Sequence, residues 1–141
     1  MTIAQIAAHL QMEKSGASKH FKLRAKVPDE ILIGQKGVIE IDLDCDDIAN
    51  AVLLAAYQPF GLSILEAAPA NWVMSDEHDL VYWTLESRYH TIKIEVEARY
   101  YGSHDIYIVC RTTAFMGHGD DECNLSLPIM VRLEENPEQT K

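Results

Sequence analysis

The residue types best suited to chemistry crowd one stretch near the amino end, "QMEKSGASKHFKLRA" at positions 11–25. Lys14, Ser15, Ser18, Lys19, Lys22 and Arg24 place four cations and two hydroxyls within eleven positions. Gathered on one helix face, such groups contact phosphate oxygens and base edges, and the cations supply the salt-dependent attraction that dominates affinity for nucleic acid. Charge distribution points the same way. Residues 1–26 carry five cations against Glu13 alone, whereas the remainder carries seven basic and 21 acidic residues, in a chain of 141 residues and net charge −10. Cationic excess confined to one end is the signature of a polyanion partner, while the acidic remainder repels nucleic acid.

Those residues need elements to position them. Thr2 is suited to cap a helix in which Ile3, Ile6, Ala7 and Leu10 share a face. A second helix is expected from about Ser15 to Arg24, with Ala17 and Phe21 along a stripe, ending before Pro28. This pair resembles the helix-turn-helix of bacterial regulators. In particular, "ASKHFKLRA" is similar to the recognition helix of ArsR-like winged-helix repressors, and the resemblance spans residues 2–43. It implies that Ala7 marks the close crossing of the two helices, that Ile6, Leu10 and Ala17 pack the angle between them, and that "EILIGQKGVIEID" forms the wing. A DNA-binding transcription regulator is the function implied, with Lys14, Ser15, Ser18, Lys19, Lys22 and Arg24 as its DNA contacts and a homodimer reading two half-sites. The same segment also carries a period-2 pattern, because Phe21, Leu23, Ala25 and Val27 alternate with its cations.

Beyond residue 28 the expectation is an α+β domain: N-terminal helices, one buried central helix and a mostly antiparallel meander sheet. Ile31 to Ile33 and Val38 to Leu43 flank "GQKG" as a hairpin. Asp46 or Asp47 is expected to cap a central helix through Tyr57, because "IANAVLLAAY" is apolar around its whole circumference. Six runs of period 2 follow, "LSILEA", "ANWVMS", "DLVYWTLE", "YHTIKIEVEARYY", "DIYIVCRTT" and "NLSLPIMVRL", joined as hairpins, with Pro128 placing the last at a sheet edge. Tyr82 and Trp83 must face opposite sides of their strand. Residues 1–133 are expected to form a single domain, with 1–26 as its helix-turn-helix segment and 134–141 as a flexible acidic tail.

Catalysis has no visible signature. There is no phosphate-binding loop, dinucleotide fingerprint or nucleophile elbow, and the six histidines are scattered. Three cysteines at irregular spacing match neither a disulfide framework nor a zinc pattern. Around His118, Asp120, Asp121, Glu122 and Cys123 the spacing fits no calcium loop, so a solvated turn is expected, while Asp42, Asp44, Asp46 and Asp47 suit a strand face and a helix cap. No enzyme activity, cofactor or metal is expected. With no apolar run of membrane-spanning length and no signal-peptide layout, a cytoplasmic location is expected. The alternative function is a non-enzymatic acidic protein-interaction or inhibitor protein of a mobile element, binding a partner protein through the face of its aromatic-rich sheet.

Overall fold

Phe21, Leu23, Ala25 and Val27 alternate with Lys22, Arg24 and Lys26, and the structure resolves that alternation as a strand. A computed structural model describes residues 11–45, 52–85, 88–112 and 122–133. Among them there are eleven strands and no helix. The α+β expectation is therefore corrected to an all-β sandwich, and the helix-turn-helix resemblance falls with it. The proposed recognition helix is instead the hairpin of β1 (Gln11–Ala17) and β2 (Phe21–Pro28), paired antiparallel from Gln11 with Pro28 to Ala17 with Lys22. Residues 2–10, the first expected helix, lie outside the described residues.

The remaining strands are β3 (Glu30–Leu32), β4 (Lys36–Cys45), β5 (Val52–Tyr57), β6 (Leu62–Ala68), β7 (Val73–Met74), β8 (Leu80–Leu85), β9 (Tyr89–Ala98), β10 (Gly102–Thr112) and β11 (Glu122–Arg132). One sheet has the order β1-β2-β4-β9-β6, and the other β3-β11-β10-β5-β8-β7. Each of the six alternating runs beyond residue 61 is thus a strand, but the connections are not a meander. The chain changes sheet at most turns, and adjacent strands pair directly in three places: β1 with β2, β7 with β8, and β10 with β11. Crossing is what lets two half-apolar sheets bury their inner faces against one another.

Two local expectations change for the same reason. "GQKG" does turn the chain, with Gly34 at φ 83° and the Gln35 N–H donating to the Leu32 carbonyl at 2.9 Å. Yet β3 pairs parallel with β11 while β4 pairs with β2 and β9, so no wing hairpin exists. The expected central helix becomes β5, the strand between β10 and β8. Asp46 and Asp47 lie outside the described residues.

Between the sheets lies a continuous core built from Phe21, Ile41, Ile94, Leu54, Trp83 and Ile108, all fully buried, and their like. Trp83 donates its indole N–H to the Pro69 carbonyl at 3.0 Å, so its polar atom enters the core satisfied. Cys45, Cys110 and Cys123 are buried as well, with Cys110 directly opposite Cys123 across the β10–β11 ladder. Pro128 occupies a stretch of β11 that β3 does not reach, since β3 pairs only with Met130 to Arg132. The edge there is covered differently. Lys14 of β1 shares a side with buried Ala25 and extends its Nζ to the Ser126 carbonyl of β11 at 3.2 Å, tying the sheets together. Inward-directed charge is one way edge strands avoid pairing with other chains. Replacing Lys14 with Glu sets a carboxylate against that carbonyl, and the expected loss is roughly 0.5–1.5 kcal/mol. A lower urea midpoint with an unchanged slope would register it; an unchanged midpoint would show that Lys14 does not tie the sheets.

Candidate functional site

The six residues expected to read DNA do not form one surface. Ser15 lies opposite Arg24, and Lys22 follows on the same outward side of the five-stranded sheet. Lys14 takes the other side of β1, and Ser18 and Lys19 occupy the turn, where the Ser18 N–H donates to the Phe21 carbonyl at 2.9 Å. With no helix to enter a groove, the DNA-binding role is withdrawn.

Register also sets carboxylates beside the cations of β2. Strand β2 lies against β4 so that Lys22 faces Asp44, Arg24 faces Asp42 and Lys26 faces Glu40. Arg24 reaches Asp42 at 3.6 Å and Glu13 at 3.8 Å, and Arg88 meets Asp44 at 2.9 Å. Across the sheet, Glu13, Lys26, Glu40 and Lys93 form one row of alternating sign. Exposed pairs of this kind contribute little to stability, but of the cations that looked like a polyanion site they engage Arg24 with two carboxylates and set Lys22 across the ladder from a third. The broad depression on this face, about 790 Å3, is bordered by Ser15, Arg24, Asp42, Tyr89 and Thr91. Its lining mixes apolar surface, from Gly16, Ala17 and Tyr89, with the charges of Lys22, Arg24, Asp42 and Asp44.

The outer face of the six-stranded sheet is different in kind. A sandwich strand ordinarily turns polar residues outward. Here β5 turns Leu53, Ala55 and Tyr57 outward while Val52, Leu54 and Ala56 fill the core. Ala55 sits between Tyr82 of β8 and Val109 of β10, and Tyr57 sits between Leu80 and Tyr107. The Tyr57 and Tyr107 rings are 6.0 Å apart, tilted by 48°. Because alanine is short and its neighbours are tall, the centre of the face is a socket of about 410 Å3 floored by Ala55, with Arg111 and Glu122 at its far end. Ala55 is only 6% exposed at that floor, while Tyr57 and Tyr107 are 40% and 41% exposed. Alternation places Trp83 in the core and Tyr82 in the socket wall, as their adjacency requires.

No protein-family profile and no curated protein sequence matches this chain. Solved structures do. The chain is similar to a cohesin module from a Clostridium perfringens family 33 glycoside hydrolase, at 12% identity and a TM-score of 0.56, over 85% of this chain and 98% of that one. It is also similar to the CARDB domain of a Pyrococcus furiosus protein in complex with di-metal ions, at 10% identity and a TM-score of 0.51, over 81% and 94% of the two chains. At such identities the likeness shows the fold, a β-sandwich. The metal ions belong to the second protein; among the described residues of this chain, no group of three or more His, Cys, Asp or Glu side chains is placed to hold one.

The arrangement is chemically plain. A shallow apolar socket walled by tyrosines removes water from an inserted side chain and offers hydroxyls at its lip, which suits non-covalent binding. Sequence reasoning set Tyr82 and Trp83 on opposite sides without deciding which enters the core, and it missed Leu53, Ala55 and Tyr57. Their signal was present: both parities of residues 52–57 are apolar, which a strand shows when both its faces have something to cover.

Proposed function

We propose that this chain is a non-catalytic protein-binding module that docks a partner protein on the outer face of its six-stranded sheet, around Ala55. The observation that carries it is the outward apolar side of β5, Leu53, Ala55 and Tyr57, in a molecule whose opposite sheet turns paired charges to solvent. Contiguous apolar patches on otherwise polar proteins mark interaction sites, and tyrosine is enriched where partners dock. No helix among the described residues is long and apolar enough to cross a membrane.

The test is Val109→Glu, which puts a charge at the wall of the socket while leaving the core untouched. Partners recovered with the full chain are purified and titrated against wild type, Val109→Glu and, on the other sheet, Lys26→Gln. A charge buried in a docked interface is expected to weaken binding at least about 30-fold, with Lys26→Gln near neutral. Equal affinity of wild type and Val109→Glu for every purified partner would overturn the assignment.

A further inference from the structure

The character of the socket narrows what enters it, an inference that rests on the docking role just proposed. Three tyrosines, Tyr57, Tyr82 and Tyr107, supply ring faces and edges around a floor of aliphatic atoms from Ala55, Leu53 and Val109. Acids stand beside it. Asp105, exposed, lies two residues before Tyr107 on the same side of β10, and its carboxylate accepts from the Ser126 hydroxyl at 3.3 Å. At the Tyr57 end, the Asp79 carbonyl accepts from the Gln58 N–H at 2.7 Å, in an exposed turn that also carries Asp76 and Glu77. At the opposite end, Glu122 faces Arg111, the one cation among the lining residues.

We propose that the partner presents a basic segment and that one of its arginine or lysine side chains fills this socket, its aliphatic stem over Ala55 and Val109 and its cationic head against the Tyr57 and Tyr107 rings. Ring faces attract cations within about 6 Å, and long basic side chains bury their stems while their heads seek charge at the rim. Net acidity disfavours the simplest competitor. A second copy would bring another chain of net charge −10 against the same rim, a like-charge approach.

The experiment uses the full chain, isotopically labelled for amide NMR, and three synthetic peptides of sequence GSLRVRLSG that differ only in carrying arginine, neutral citrulline or glutamate at the two arginine positions. The arginine peptide is expected to shift the amides of Ala55, Tyr57 and Val109, with citrulline weakening it about 10-fold and glutamate more. Tyr107→Ala is expected to cost about 10-fold, and Ala55→Leu, which fills the socket without touching the core, a similar factor. Melting curves show whether each variant is folded, and Ala55→Leu carries the test if Tyr107→Ala is not. Equal binding of the citrulline or glutamate peptide at the same amides would overturn the cationic partner and leave the docking face standing. Shifts spread over Glu40 and Asp42 and indifferent to Ala55→Leu would overturn it as diffuse charge attraction, as would the absence of any shift. The docking role itself fails separately, through Val109→Glu.

Discussion

Trp83→Ala is expected to lower stability by about 3–5 kcal/mol, the cost of deleting a buried aromatic side chain and leaving a cavity. Trp83 is fully buried, faces Leu54 across the β5–β8 ladder and donates its indole N–H to the Pro69 carbonyl at 3.0 Å. A domain of this length holds only roughly 5–15 kcal/mol in total, so the variant should melt roughly 10–20 °C lower. Trp83→Phe separates the contributions. It keeps a ring in the core and loses the hydrogen bond to Pro69, with an expected cost of about 1–2 kcal/mol. Function follows stability here, because Tyr82, the next residue, is a wall of the socket and β8 holds it there. Calorimetry and denaturant unfolding would decide the matter, and a Trp83→Ala protein that melts like wild type would remove Trp83 from the core.

Gly61→Ala should be the most damaging glycine-to-alanine change among the described residues. Gly61 is buried, and its carbonyl accepts the N–H groups of Arg99 at 2.8 Å and Tyr100 at 3.3 Å, joining the β5–β6 and β9–β10 connections. A Cβ at Gly61 would overlap the His104 ring. That ring hydrogen-bonds through Nε2 to the Tyr100 carbonyl at 2.8 Å, and Tyr100 stacks on Phe60 at 4.6 Å. Making room means swinging His104 out, giving up its hydrogen bond and loosening the aromatic pair above it. Overpacking of this kind costs about 1–3 kcal/mol. A second substitution makes the cause identifiable. In a His104→Ala background the methyl meets no ring, so the Gly61→Ala penalty should shrink by at least about 1 kcal/mol in a double-mutant cycle. Additive losses would show that His104 is not the obstacle.

Residues 15–27 show how far the chain could be read in advance. "SGASKHFKLRAKV" satisfies a helical stripe through Ala17, Phe21 and Ala25 and a strand alternation through Phe21, Leu23, Ala25 and Val27. Both patterns place apolar residues on one side, so periodicity does not choose between them. The choice comes from β4, some twenty residues later, whose backbone pairs with β2 and whose Asp42 receives Arg24. Similarly, Val52 to Tyr57 read as a helix because all its sides are apolar, whereas in the sheet one side is core and the other is the socket. Local turn chemistry at Gly34 was correct, yet the two strands it joins belong to different sheets.

By itself, the order of residues determined where most strands lie from Val38 onward, which side of β4 and of β9 enters the core, and that Tyr82 and Trp83 must part. Those properties depend on neighbours one or two positions away, and a pleated backbone converts them directly into faces. Only the tertiary structure decided which strands pair, that the cations of β2 are answered by the carboxylates of β4, and that an outward tyrosine socket forms around Ala55. Each of these needs segments far apart in the chain to be brought side by side, and strand pairing owes its energy to such long-range contacts rather than to local preference.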